Sequence, residues 1–226
     1  LFNHARENAS DPAVRDSQYV IVAPTLHCGF YRTPEFEDLT VGELNVGNAW
    51  FDYYESMFAF LDHYVRGEDN GFPDETPRVR YYTMGRNEWS SASAWPPEEV
   101  AFVDFHLASD GMANSVFGDG RLTREAPTGA EHDAFTYDPM NPVQSIGGNT
   151  CCLADALPPG SFDQRPVESR ADVLVYRSDP LAEPLRFGFT TGGFGITSPA
   201  NGGTVAEKSE LVLEARLTGE DKVYRT

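Results

Sequence analysis

Apolar positions recur along the chain with two different periods, and the change between them falls near residue 70. In the first part, Tyr19-Val20-Ile21-Val22-Ala23 is β-branched and aromatic without polar alternation, the pattern of a strand covered on both faces in a parallel sheet. Pro24 ends it. Leu1, Phe2 and Ala5 fall at helical spacing, so residues 1–9 predict the last turns of a helix leading through Ser10-Asp11-Pro12 into the strand. Residues 30–48, with Pro34, Gly42 and Gly47, read as loop. From Asn48 to Arg66 the period is that of a helix. Trp50, Tyr54, Met57, Leu61 and Tyr64, with Phe51, Phe58 and Val65 beside them, form a broad apolar face predicted to pack on the sheet. Asn48 is the expected cap and Gly67 the expected stop.

Gly67 to Pro77 is turn-rich and acidic, a linker with its boundary at 71–77. Beyond it the period shortens. Arg78 to Met84 alternates, Val100 to Leu107 predicts a second strand, Phe135-Thr136-Tyr137 a third, and Asp172 to Tyr176 another. Gly118-Asp119-Gly120 reads as a tight turn, and 141–165 as a long loop. Short strands without helical periodicity point to an all-β sandwich or jelly roll. The fold class expected is therefore α/β plus all-β.

Composition narrows the partners. The 226 residues are 40% hydrophobic and 12% aromatic, ample for a packed core. Seventeen basic against 35 acidic residues leave a formal charge of −18, which argues against a nucleic-acid partner because phosphate binding needs a cationic surface. No apolar run approaches the length that spans a bilayer, so no membrane partner is expected. The sequence assigns no compartment or oligomeric state. A chain opening on Leu1-Phe2-Asn3-His4 reads as part of something longer. Cys28, Cys151 and Cys152 show no C-x-x-C pairing, so they predict packed thiols rather than a zinc site. Glu68, Asp69 and Asp74 match no calcium-loop spacing, and no metal is expected.

Candidate chemistry gathers just after the buried strand. His27 follows Pro24 at a sheet edge where open α/β folds place ligands and catalytic groups. It is either an ordinary polar loop residue or a functional one. Phe30 and Tyr31, close behind, either line a pocket or cover the sheet edge. Trp89 and Trp95 suit a sugar platform, but in loops flanked by Pro96 and Pro97 they fit better as interface wedges.

Several ordered motifs carry a resemblance: AP-T-L-H after the strand, FLDHYVRGEDNG, PRVRYYTMGRNEW, WPP, LASDGMANS, GDGRL, FTYDPMNPV, GGNTCC and FDQRPVESRADVLVYRSDPLAE. Together they resemble the cocaine esterase / X-Pro dipeptidyl-peptidase superfamily of serine hydrolases from Leu1 to about Leu185. The resemblance implies the C-terminal piece of an α/β-hydrolase domain (1–70), the linker (71–77), and a jelly-roll domain (78–226) whose tail, 186–226, departs from the pattern. It implies acyl-bond cleavage in esters, amides or peptides by a Ser-Asp-His triad without a cofactor. The family's G-P-W-x-H segment corresponds here to Ala23-Pro24-Thr25-Leu26-His27, which makes His27 the triad base and Phe30 and Tyr31 substrate-binding candidates.

No G-x-S-x-G nucleophile elbow occurs in the sequence, and the family's aspartate aligns before Leu1. The isolated chain is therefore expected to have no serine-hydrolase turnover. In the tail, ITSPANGGTV and the alternating Glu210 to Leu217 either add strands to the sandwich or open a further module. The alternative from another class is a non-catalytic β-sandwich that binds carbohydrate or a protein partner.

Overall fold

The computed structural model of the chain describes residues 1–25, 37–98, 100, 105–128, 132–148 and 157–179, with the backbone of 185–187, 204–206 and 212–215. Strands outnumber helices, and the chain divides into two compact units, Leu1–Val41 with Asn45–Ala101 and Gly42–Leu44 with Phe102–Thr226. Among the described residues no helix is long and apolar enough to cross a membrane.

In the first unit, helix α1 (Phe2–Asn8) is followed by a second short helix, α2 (Pro12–Asp16), where the sequence suggested only a turn. Asp11 creates it: its carboxylate accepts the Ala13 N–H, and Pro12 at the first helical position needs no donor partner. Strand β1 (Val20–Val22) then pairs in parallel with β4 (Val79–Thr83), and β4 pairs antiparallel with β5 (Glu88–Ala92). The expectation that β1 is covered on both faces is corrected. Among the described residues it is the edge strand of this sheet, and Ile21 is 38% exposed.

Between β1 and β4 lie the hairpin of β2 (Thr40–Val41) and β3 (Leu44–Asn45), helix α3 (Tyr53–Tyr64) and helix α4 (Phe72–Glu75). Helix α3 starts later than the apolar period suggested. Asp52 caps it by accepting the Glu55 N–H at 2.8 Å, while Asn48 closes a separate turn by accepting the Trp50 N–H. Its end follows expectation: Gly67 takes a left-handed φ of 75°, and the N–H groups of Gly67 and Glu68 return to the carbonyls of His63 and Asp62.

The broad apolar face of α3 is not buried. Phe60 and one face of Tyr64 pack onto Tyr19 and Phe72, whose rings stand 5.0 Å apart, but Tyr54, Phe58, Leu61 and Val65, and the rest of Tyr64, remain exposed. One pair at i,i+4 meets the aromatic cluster, and the stripe beside it points away. Burial in this unit centres on β4. Val79, Tyr82, Thr83 and Met84 are all but inaccessible, so the strand is covered on both faces from Tyr81 on, although its residue pattern suggested alternation. Tyr82 tolerates this because its hydroxyl donates to the Val46 carbonyl at 2.5 Å.

The linker expected at 71–77 contains α4, and the strand period that follows it stays with the first unit because β4 and β5 complete the sheet of β1.

In the second unit, strands β6 (His106–Ala108), β7 (Arg121–Thr123), β8 (Leu174–Arg177) and β11 (Val212–Ala215) form a sheet in the order β11-β8-β7-β6, with helix α5 (Arg165–Glu168) before β8. Strands β9 (Leu185–Phe187) and β10 (Thr204–Ala206) form an antiparallel pair. The tail therefore adds β11 beside β8. Apolar layers lie on both faces of β8, which is why Val173 to Tyr176 reads as an unbroken apolar run. Leu174 and Tyr176 pack with Ala113 and Leu122 on one face, and Val173 and Val175 with Val167 on the other. No strand forms at 135–137; Phe135 instead packs on the first of these layers from an extended loop. The expected turn at Gly118 is present, closed by the Gly118 N–H on Ser115 and by the Asp119 carboxylate, which accepts the N–H groups of Asp110 and Met112.

Candidate functional site

His27, Phe30 and Tyr31 lie outside the described residues, as do Cys28, Cys151 and Cys152. The structure does fix the two roots from which residues 26–36 depart, and both rest on β4. On the N-terminal side, β1 is held in register Val20 to Val79 and Val22 to Tyr81, the Val20 N–H donates to the Arg78 carbonyl, and Pro24 is fully buried. On the C-terminal side, the Leu39 carbonyl accepts the Val46 N–H, the Leu39 N–H donates to the Gly47 carbonyl, and the Val46 carbonyl receives the Tyr82 hydroxyl.

The start of β1 is also fixed by ring packing. Tyr19 sits under Arg78, with the guanidinium 4.9 Å from its ring centroid, and its hydroxyl lies 3.1 Å from that of Tyr64. Burial, with the Tyr64 hydroxyl beside it, pushes the Tyr19 phenol up to about 12. Tyr19 therefore offers no acid or base near neutral pH.

Trp89 and Trp95 are not open platforms. Trp89 packs edge-on to Phe51 and Tyr82 at 5.3 and 5.2 Å and lies under the Arg80 guanidinium, while Trp95 packs on Tyr81 and its carbonyl accepts the Asn3 side chain. Burial lowers Arg80 from its ordinary value, and the aromatic faces of Trp89 and Phe51 stabilise the charge there.

The second unit holds a polar cluster that the sequence did not mark. Asp133 accepts the Tyr176 hydroxyl at 2.5 Å, the Ser109 hydroxyl at 2.6 Å and the Ala113 N–H at 2.9 Å. Burial pushes this carboxyl up, but the three donors outweigh it and hold Asp133 below the usual carboxylate range. A carboxylate so strongly satisfied is a poor base, so Ser109 gains no activation from it. The cluster is a structural one that ties the 109–113 loop to β8. No periodic signal could have shown it, since its members are 24 and 43 residues apart. Among the described residues, no group of three or more His, Cys, Asp or Glu side chains could hold a metal ion.

Comparison with known proteins places these features in a family context. The model of the X-Pro dipeptidyl-peptidase C-terminal non-catalytic domain matches residues 70–188. A cocaine esterase of Rhodococcus sp. (strain MB1 Bresler) is 36% identical over 127 residues, 56% of this chain and 22% of that protein. An aminopeptidase from a marine-sediment Thaumarchaeota archaeon has a similar structure, with a TM-score of 0.53, 31% identity, and coverage of 75% of this chain and 26% of the other. An α-amino acid ester hydrolase is also similar, with a TM-score of 0.50 and 25% identity over 75% of this chain and 27% of the other. The chain thus spans about a quarter of the length of the relatives it matches.

Proposed function

The chain belongs to the X-Pro dipeptidyl-peptidase / cocaine esterase family, through a domain described as non-catalytic that covers just over half of it, and from that premise we propose that it is the C-terminal portion of a serine acyl hydrolase. In this reading His27 is the general base of a triad whose Ser and Asp come from polypeptide outside these 226 residues. It takes the serine proton during attack and returns it to the leaving group. Phe30 and Tyr31 form one wall of the acyl pocket, the second unit forms a jelly roll, and the substrate is a small ester, amide or peptide hydrolysed without a cofactor. The observation that carries the reading is the family match, together with the position of His27 two residues past Thr25, just after β1, paired with β4, ends at the buried Pro24.

The test has two arms. The 226-residue chain alone should hydrolyse p-nitrophenyl acetate no faster than its His27→Ala variant. The complete product of its gene should hydrolyse the same ester, with kcat falling about a thousandfold or more on His27→Ala. Loss of less than tenfold in the second arm removes His27 from the mechanism.

A second reading has one observation in its favour, the description of the matched domain as non-catalytic. It makes the β-rich part a binding module for carbohydrate or a protein partner. The packing of Trp89 and Trp95 against Tyr82 and Tyr81 weighs against a sugar platform at those rings. Saturable binding of an oligosaccharide by the intact chain would move the balance to this reading.

A further inference from the structure

Residues 42–44 stand far in sequence from everything else in the second unit, yet they belong to it. Gly42 bridges Ser161 in parallel fashion, and the Glu43 N–H donates to the Ser161 carbonyl at 2.7 Å. The Glu43 carboxylate then accepts the Asp163 N–H at 3.1 Å. A parallel bridge with its backbone bond and one charge-assisted bond make a register, not a chance touch. The charge of Asp163 is itself engaged by Arg165, so a second carboxylate beside it is tolerated.

Steric fit is as specific as the hydrogen bonding. Gly42 has φ of 70°, and a Cβ there would overlap the Ser161 carbonyl and come within 2.9 Å of the Phe162 ring. Gly147, at φ of 69°, meets the same ring from another stretch: a Cβ on it would lie 2.5 Å from Phe162 and overlap the Gly160 carbonyl. The ring of Phe162 is thus contacted by two glycines 105 residues apart, and neither position has room for a side chain. Gly160 is fixed in turn by a reciprocal backbone pair with Gly148, at 2.7 and 2.8 Å.

We infer that the 160–163 ledge is a peptide-docking site for an extended Gly-Glu segment, occupied in cis by Gly42–Glu43. Recognition has three elements: the Ser161 carbonyl takes a backbone N–H, the Asp163 N–H takes a carboxylate, and the Phe162 ring admits only a residue without Cβ. The occupant is a segment that precedes the family match at residue 70, so the β-rich unit is completed from outside its recognised bounds. This inference is independent of any role for His27.

The experiment uses the full chain and residue-resolved amide hydrogen exchange. Glu43 is exposed, so Glu43→Ala should fold, speed exchange at the Asp163 amide roughly tenfold, and leave the amide of residue 43 protected. Gly42→Ala should release both amides. A peptide with the sequence of residues 38–48, added at millimolar concentration to that variant, should restore protection at Asp163, and the same peptide with Ala for its first Gly should not. Unchanged exchange at Asp163 in Glu43→Ala, or retained protection of both amides in Gly42→Ala, overturns the inference. So does failure of the glycine peptide to restore protection. If Gly42→Ala does not fold, the Glu43→Ala result decides alone.

Discussion

Replacing Asp133 with Ala removes the acceptor for three donors at once, and the cost can be worked from who loses what. Ala113 is fully buried and Tyr176 is 5% exposed, so the Ala113 N–H loses its acceptor and the Tyr176 hydroxyl loses its bond to a charged one. The buried Ala113 donor without its acceptor costs about 1–3 kcal/mol, the lost Tyr176 bond to a carboxylate about as much, and the half-buried Ser109 hydroxyl can turn elsewhere, so the total is about 2–6 kcal/mol. Asp133→Asn should cost only about 1 kcal/mol, because one oxygen still accepts the Ala113 N–H and a hydroxyl can reverse to accept from the new amide. The chain has two compact units, so one global unfolding curve is not the right assay. Hydrogen exchange of the β8 amides reads the second unit directly; Asp133→Ala should accelerate it about 30-fold or more. The gap between variant and parent should also depend on pH. A folded pKa held below the unfolded one stabilises the fold above about pH 4 and ceases to do so as pH falls through the folded value. The gap should therefore shrink in strong acid. Exchange in β8 within twofold of the parent at pH 7 would refute the reasoning, since it would mean that neither buried donor depends on this carboxylate.

Asp52→Ala should destabilise α3 by about 1 kcal/mol through loss of its cap on the Glu55 N–H, seen as a lower thermal midpoint by circular dichroism at 222 nm. Tyr82→Phe should cost about 1–2 kcal/mol by orphaning the Val46 carbonyl; Trp89, 5.2 Å away, reports it by fluorescence in urea titrations. Absorbance titration should show one tyrosine ionising near pH 12, and Tyr64→Phe should bring it down, because the Tyr64 hydroxyl is a cause of the shift after burial. Stability should fall between pH 10 and 12, since there the unfolded Tyr19 loses its proton and the folded one keeps it. Arg170→Lys should loosen residues 138–148, measured by hydrogen exchange, because one ammonium cannot hold Asp172 by two bonds and also reach the Asn141 carbonyl.

What could be read from the sequence was whatever depends on near neighbours. The run Val20–Val22, the helix at Phe2–Asn8, the stop at Gly67 and the unbroken apolar stretch that becomes β8 each follow from residues within a turn or two. What could not be read depended on distant partners. Asp52 took the cap from Asn48 because both can cap and only packing decides which turn continues as helix. Tyr82 looked like a half-exposed alternating residue until Val46 supplied its hydrogen bond. The apolar face of α3 was visible, but which part of it meets Tyr19 and Phe72 was not. The candidate site was legible only as motif: the order of residues around His27 suggested the chemistry, and the structure contributes the anchoring of its flanks on β4.

The limits of the recognised domain and of the compact units do not coincide, and the difference has a physical cause. The family match begins at residue 70, where the residue pattern changes, but β4 and β5 lie inside that match and pair with β1, which lies outside it. Gly42–Leu44, also outside it, belongs to the second unit. A segment cut at 70 would therefore leave the Val79–Tyr81 edge of β4 without its parallel partner, a buried strand with bare donors and acceptors. It would also leave the Ser161 carbonyl and the Asp163 N–H without Glu43. Residues 1–69 are thus structural members of the β-rich part as well as the bearers of the candidate histidine. Any division of this chain into separate pieces must keep Val20–Val22 and Gly42–Leu44 with the residues they pair with.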